Sequence, residues 1–455
     1  MIDNSEFRTL KRNTIIIAIA NLGSKAIAFI LAPLYSYYLS TDQYGVMDLI
    51  TTAGGLLLPI FCLDIFEATF RYSSDSDYKD KTVLSSSLFI VILEVILLSL
   101  SCVIVSFFIT IPLYMIVIFL CAELDSIFQV LTQFVRGKNH MKEYALSGVV
   151  NSVVLLISNI ILLVLMKKSL DGWIFSFVIA KFFSCIYIVV ISRFWEFFSF
   201  KNISREFLKR AFAYCLPLLP TTIMWWIMNL SDRFLISVCM GLAGTGIYAV
   251  ASKIPSLLSV FENVFFQSWQ TSAINTVNDN NRESFYSSVF EKYLILLTLG
   301  VLGVLTVLKP IITIFSDEYE IAWMSSGILV ISVLFHALGG NLGALYAAFK
   351  RTKGTFYTSA YGAITNFILN LILVPRFGLM AAATTTMIGY IVVLVTRWID
   401  LRIDQKNIWI CFVLIATQGF AYYMDGIFSY LIQVVVLFLW CIIYRKEMSI
   451  LTFRK

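Results

Sequence analysis

Four cations lie inside stretches too apolar to hold them unaided: Lys25, Lys181, Arg233 and Lys253. Arg233 and Lys253 are the most telling, because they flank one short Gly-rich link, Gly241 to Gly246, from opposite sides. Each sits about 8 residues from the link, or ~12 Å along a helix. The spacing therefore puts two fixed positive charges at similar depth on adjacent helices. A lone charge in hydrocarbon costs roughly 2.5–3.5 kcal/mol on insertion scales, so such a side chain faces a wet cavity or a partner. A long cation near a helix end can instead snorkel to the interface. The chemistry such cations offer is charge-assisted hydrogen bonding to an anion.

Acids share these stretches. Glu94, Glu123 and Asp125 fall near mid-depth, and Asp48 and Asp232 lie in other apolar runs. They can balance the cations or bind a coupling proton or sodium ion, and a structural ion pair with such an acid is the alternative role for Lys25 and Lys181. Asp232 adjoins Arg233, but neighbours in sequence do not share a helix face, so it is not expected to neutralise Arg233. Asp64, Glu67 and Glu262 fall towards the cytoplasmic ends of their runs, where a solvated mouth is expected. Trp225, Trp226 and Trp269 suit sugar stacking or interfacial anchoring. Of two histidines, His140 belongs to an inner loop and His336 to an apolar run, where a packed, hydrogen-bonded role is expected. All eight cysteines lie within or beside apolar runs, with no CxxC and no paired loop cysteines. That excludes a disulfide framework or a metal site as the organising principle.

The elements that position these groups follow from composition. The chain is 59% hydrophobic and only 14% charged, with mean hydropathy +0.85, against about 25% charged residues in soluble domains. It reads as an all-α polytopic membrane protein with about 14 transmembrane helices. The expected spans are roughly 14–39, 45–70, 83–108, 112–135, 144–166, 172–192, 211–240, 245–271, 287–308, 321–349, 355–375, 379–399, 408–424 and 427–444. The last two are short, and twelve spans plus a re-entrant tail is the alternative. The N-terminal run is too long for a cleaved signal and is taken as an uncleaved first helix.

Charge tests the count. Of 34 Lys and Arg, only Lys167, Lys168, Lys309 and Arg376 fall in outer links. Lys25, Lys181, Arg233 and Lys253 lie within spans, and the rest, Arg397 among them, are assigned to inner segments. By the positive-inside rule both termini are cytoplasmic. The formal charge of +6 is dispersed among short loops, so nucleic acid is not an expected partner.

The chain also repeats itself at an offset of about 200 residues. LSTDQYGVMDLI answers MGLAGTGIYAVAS, and FVRGKNHMKEYALSGVVNSVV answers AFKRTKGTFYTSAYGAITNFI. Equal parity makes the repeats parallel, so two six-helix lobes are related by a pseudo-two-fold axis along the membrane normal. The expected organisation is a lobe over 1–195, a cytoplasmic linker over 196–210, a second lobe over 211–402, and two further helices with a tail over 403–455. The linker alternates basic and aromatic residues and reads as amphipathic, lying on the inner leaflet. Pro33, Pro59, Pro217, Pro220 and Pro255 lie in the hairpins that open the lobes, where each can kink its helix.

DRFLI, GTGIYAVASKI, FQSW and NFILNLILVPRFGLMAAATTTMIGY, with APLYSYYLSTDQYGVMDL near the start, resemble the polysaccharide-transport branch of the multidrug/oligosaccharidyl-lipid/polysaccharide (MOP) superfamily. Bacterial O-antigen and capsule repeat-unit flippases belong to that branch. The resemblance implies a central cavity opening alternately inward and outward in the bacterial cytoplasmic (inner) membrane. The implied cargo is an undecaprenyl-pyrophosphate-linked oligosaccharide moved to the outer leaflet, and polysaccharide polymerase or chain-length machinery are implied partners besides membrane lipids. Arg233, Lys253, Lys25 and Lys181 are then the expected pyrophosphate and sugar ligands. Glu94, Glu123, Asp125 and Asp232 are the expected coupling-ion or charge-balancing groups. No cofactor or metal is expected beyond a coupling proton or sodium ion.

Other readings remain open. A membrane polymerase or ligase would need a sizeable outer loop bearing Arg, His or Glu, and the widest outer link, around Pro310 to Glu320, is short; an enzyme is not expected. A drug or metabolite cation antiporter would suit the acid-rich spans, and a lipid II flippase would differ mainly in cargo.

Overall fold

Residues 23–38 form helix α1, and Leu39 and Ser40 turn the chain into α2, Thr41–Phe61. The sequence dictates this turn. Ser40 Oγ accepts the Gln43 N–H at 3.3 Å while Gln43 Oε1 accepts the Ser40 N–H at 3.2 Å, a reciprocal capping box. The computed structural model describes residues 23–74, 78–107, 113–138, 140–216, 219–276, 281–349, 351–402 and 408–445. The N-terminal Arg8, Lys11 and Arg12, the loop residues Lys350 and Lys406, Pro217, and the tail with Lys446, Arg454 and Lys455 lie outside the described residues. The described residues are helical with no strand.

The chain divides into two compact units, Met1–Trp226 and Ile227–Lys455. In the first, the expected second span is broken: Leu63 and Asp64 adopt positive φ, 52° and 54°, and α3, Ile65–Ser73, starts beyond them. Helices α4, Asp80–Ser106, and α5, Leu113–Gly137, follow. Next comes α6, Met141–Asn159, which continues into a wider π-helical stretch, Ile160–Leu165, and then α7, Ser169–Ile191. Asn159 marks the change of pitch, with its buried amide donating to Leu155 O at 2.7 Å and to Tyr35 Oη at 3.2 Å.

The linker forms α8, Phe194–Phe197, and α9, Arg205–Cys215. Three consecutive serines at the start of α4 hold this region. Ser85 Oγ donates to Phe197 O and accepts Ser199 N–H, Ser86 Oγ accepts Ser204 N–H at 3.0 Å, and Ser87 Oγ accepts Thr69 Oγ1 at 2.8 Å. α9 is amphipathic as expected, yet it packs its apolar face on protein: Phe207, Ala211 and Cys215 are buried with Ile65, Ala68, Leu84 and Val130. Trp195 and Phe200 stay exposed.

In the second unit α10, Leu219–Ala251, begins in the first unit and folds back on itself at Gly241, whose φ of 78° and ψ of −178° are closed to side chains with a Cβ. The turn is thus one glycine, and residues 242–246, expected to be part of a link, are helical. Next come α11, Lys253–Asn275, α12, Arg282–Ile312, and α13, Ala322–Ala348. α14, Thr352–Leu401, has the same device at Gly378, φ 62° and ψ −139°. The two short helices α15, Ile408–Tyr422, and α16, Ile427–Ile443, are joined through Gly426. Eight helices among the described residues are long and apolar enough to cross a membrane, one of them the 49-residue stretch Lys353–Leu401.

Candidate functional site

The single-glycine turn sets what Arg233 meets. With α10 folded at Gly241, Arg233 on the first arm faces Tyr248 and Ser252 on the second. Its Nη2 donates to Ser252 Oγ at 3.0 Å, and the guanidinium lies 5.7 Å from the Tyr248 ring centre. Its side chain is only 11% exposed, which makes it a charge inside the unit rather than a snorkelling one.

Ser252 is itself the break between α10 and α11, and Pro255 explains the break. Proline supplies no N–H to the carbonyl four residues back, and its ring crowds that carbonyl. The carbonyl concerned, Ala251 O, accepts Ser326 Oγ of α13 instead, at 3.0 Å. Arg233 is therefore tied to a proline kink. Lys253, the first residue of α11, adjoins this kink and is half-buried.

Asp232 corrects one expectation. Its Oδ1 accepts the Arg233 backbone N–H at 3.1 Å and lies 3.6 Å from Arg233 Nη1. The two side chains do leave the helix in different directions, but arginine is long enough to curl back over one position. Asp232 Oδ2 also accepts Tyr248 Oη at 2.5 Å and Thr386 Oγ1 at 3.4 Å. Thr386 opens a polar ladder between the arms of α14: Asn366 Nδ2 donates to Thr386, Asn370 donates to Asn366, and Thr385 donates to Asn370. The sequence reading carried Tyr248, Asn366, Asn370, Thr385 and Thr386 only inside its repeat and family-resemblance stretches and gave none of them a role. The signal available was two asparagines at i, i+4 and three consecutive threonines, Thr384 to Thr386, inside an apolar run.

In the first unit, Lys181 is ion-paired with Asp125 of α5, with Phe128 and Phe177 rings beside it at 6.0 and 5.6 Å. Glu94 and Glu123 do not join that pair. Glu94 Oε1 accepts Ser126 Oγ at 2.8 Å, and Glu123 Oε1 accepts Ser99 Oγ at 3.2 Å, two rungs between antiparallel α4 and α5. Lys25 is exposed on α1.

Two acids expected at a solvated mouth are instead enclosed. Asp64 is 2% exposed, with Thr222 donating to its carboxylate at 3.3 Å, and Glu262 is 7% exposed with His336 at 2.7 Å. Position along a span gives depth, not direction, and both side chains point into the protein. Glu67 is half-buried. Arg397, counted as an inner-loop charge, is 1% exposed within α14. Among the described residues no three His, Cys, Asp or Glu side chains gather to hold a metal ion.

The pattern of a polysaccharide biosynthesis protein matches residues 10–270. The chain belongs to the polysaccharide biosynthesis protein family. No curated protein matches it by sequence. Its fold is shared with the lipid II flippase MurJ in an inward closed conformation, at 16% identity over 95% of this chain and 100% of that one, TM-score 0.72. It is also similar to an outward-facing MATE multidrug resistance transporter of the MOP superfamily, at 15% identity over 87% and 95% of the two chains, TM-score 0.63. A variant of the Vibrio cholerae MATE transporter VcmN matches at 12% identity over 87% and 96%, TM-score 0.58. This polysaccharide biosynthesis protein is thus a multi-pass membrane protein with a MOP-superfamily fold, and Arg233, Lys253 and Asp232 all fall within the stretch that carries the family match.

Proposed function

We propose that this protein is a flippase that moves an undecaprenyl-pyrophosphate-linked oligosaccharide, an O-antigen or capsule repeat unit, from the cytoplasmic to the periplasmic leaflet by alternating access. The observation that carries this reading is Arg233, an enclosed cation bonded to a proline kink, in a chain of the polysaccharide biosynthesis family. A pyrophosphate crossing hydrocarbon needs counter-charge, and guanidinium supplies it in bidentate form. Pyrophosphate oxygens would replace Ser252 Oγ on Arg233, and the kink bonded to Ser252 would feel the exchange. Lys253 beside the kink, and Lys25 and Lys181 on the first lobe, are the further proposed ligands. Lys181 must part from Asp125 to serve. Of the acids expected as coupling-ion or charge-balancing groups, Glu94, Glu123, Asp125 and Asp232, Asp232 is the one that adjoins Arg233 and a polar ladder through Thr386, Asn366 and Asn370.

The lobes of this reading are 1–195 and 211–402, with both termini in the cytoplasm of a bacterial inner membrane and with polymerase or chain-length machinery downstream.

The test is complementation of a flippase-null strain, with membrane protein level measured in parallel. A charged hydrogen bond is worth roughly 1.5–3 kcal/mol, so losing one weakens cargo binding about 10- to 150-fold. Arg233→Ala should impair surface-polysaccharide export at normal protein level, and Arg233→Lys should retain part of it. Normal export by Arg233→Ala, or failure through degradation alone, would make the cation structural. The likeness to MurJ favours lipid II as a second cargo, since it shares the pyrophosphate. Rescue of a strain depleted of its lipid II flippase, without rescue of the O-antigen-deficient strain, would select it.

A further inference from the structure

Glu262 lies in the middle of α11 with its side chain 8% exposed. One oxygen, Oε1, is 2.7 Å from Nδ1 of His336 on α13. The other, Oε2, is buried and has no hydrogen-bond partner among the described residues. Buried polar atoms nearly always pair, so an enclosed carboxylate with one oxygen unpartnered has room in its hydrogen bonding for a proton of its own. The imidazole is the more accessible partner at 26% exposure. It can donate at one ring nitrogen while accepting at the other, so it offers a route for a proton to the enclosed carboxylate through Oε1.

The surroundings fit that role. Gly340, one turn along α13 from His336, borders the carboxylate: a Cβ there would lie 3.7 Å from Oε1, an ordinary contact. Asn341 beside it has both side-chain amide atoms buried and without partners among the described residues, and Trp269 of α11 donates to its backbone carbonyl at 2.9 Å. The seam between α11 and α13 thus holds Oε2 of Glu262 and both amide atoms of Asn341 without partners among the described residues. The other groups facing the pair are Tyr390 of α14, whose ring is 4.7 Å from the imidazole, and Tyr293 of α12, which stacks on Phe265 and feels the Glu262 charge. Tyr390 in turn lies within electrostatic reach of Asp232 and Arg233 as well as Glu262.

We infer that Glu262 and His336 form one proton-binding site in the second unit, filled through the imidazole and emptied when the α11–α13 seam rearranges during transport. Loading takes one proton from water. The pair passes from carboxylate with neutral imidazole, net charge minus one, to net zero, and unloading returns the proton to water. The proton is shared by the pair and is not assigned to either residue. The transport half of this inference rests on the flippase reading above; the proton-binding half does not.

The experiment is an infrared difference titration of the full-length protein in lipid, without cargo, between mildly acid and mildly alkaline buffer. Wild type should show a protonated-carboxyl band that Glu262→Gln lacks. Glu262→Asp, which keeps a carboxyl in case the glutamine variant folds poorly, should restore a band at a shifted frequency. His336→Gln should displace the midpoint of the wild-type band by about one pH unit, as loss of a close polar partner does. Identical wild-type and Glu262→Gln spectra would overturn the site, and an unmoved midpoint in His336→Gln would overturn the pairing. Because no cargo is present, failure here leaves the flippase reading to its own complementation test.

Discussion

A Cβ on Gly343 of α13 would lie 2.5 Å from Nη1 of Arg397 on α14. The guanidinium fills the space that any other residue at 343 would claim. It does not have freedom to move aside: its nitrogens donate to Gly339 O at 2.7 Å, Ser359 Oγ at 2.9 Å and Thr358 Oγ1 at 3.0 Å. Arg397 therefore staples α13 to both arms of α14.

Gly343→Ala should cost about as much as a charged hydrogen bond, roughly 1.5–3 kcal/mol, by displacing Nη1 from Gly339 O. In an Arg397→Lys background the same substitution should cost less, because the compact ammonium of lysine does not fill the space of the guanidinium fork. Thermal unfolding of the four proteins in detergent gives the coupling, expected at about 0.5–3 kcal/mol for residues in contact. Additive losses would mean that the two residues are not in conflict.

The kink at Ser252 makes a second prediction. Ser326→Ala leaves the buried Ala251 carbonyl without its donor, at a cost of about 1–3 kcal/mol. Pro255→Ala supplies a new N–H to the same carbonyl, so Ser326→Ala should be nearly silent in that background. The readout is again thermal unfolding, and export assayed alongside shows whether a straightened helix still transports. An undiminished loss in the double variant would detach Pro255 from the kink.

Much of this was legible in the chain. Apolar runs and alternating basic loops define an all-helical membrane protein, because hydrocarbon tolerates little else. What escaped was side-chain direction. Asp64, Glu262 and Arg397 were expected towards the cytoplasmic ends of their runs and read as solvated, yet all three are buried. Asp232 read as independent of Arg233 because the neighbour rule treats side chains as short. Tyr248 and Thr386, 16 and 154 positions from Asp232, meet it only after two hairpins close. The hairpins were foreseen, but that one glycine suffices for each was not, since φ is invisible in a residue name.

Lys181 and Asp125 allow structural and functional roles to be separated. Both are mostly buried, at 16% and 25% exposure. Lys181→Ala should strand the carboxylate and cost about 1–3 kcal/mol, less than for a fully enclosed pair, with a fall in membrane protein level. Lys181→Met with Asp125→Leu removes both charges and should restore the level. If the restored protein exports normally, Lys181 is structural only. If it is present but inactive, the cation belongs to the cargo path, as proposed.

The two turn glycines separate backbone strain from crowding. Gly241, φ 78°, has open space where a Cβ would go, so Gly241→Ala should cost only the conformational term, about 1–3 kcal/mol for a sparsely populated backbone region. Gly378, φ 62°, faces the same backbone penalty, and its Cβ would also lie 3.0 Å from Sδ and Cε of Met240. Gly378→Ala should therefore be at least as costly as Gly241→Ala. Met240 is 43% exposed and its side chain is flexible, so the extra crowding is modest. Met240→Ala should remove that excess and leave Gly378→Ala equal to Gly241→Ala, while doing nothing for Gly241→Ala itself. Thermal unfolding of the single and double variants measures each difference. If either alanine is neutral, that turn does not need its glycine and the hairpin must close by another route. If Met240→Ala fails to relieve Gly378→Ala, the turns of α10 and α14 do not meet through Met240.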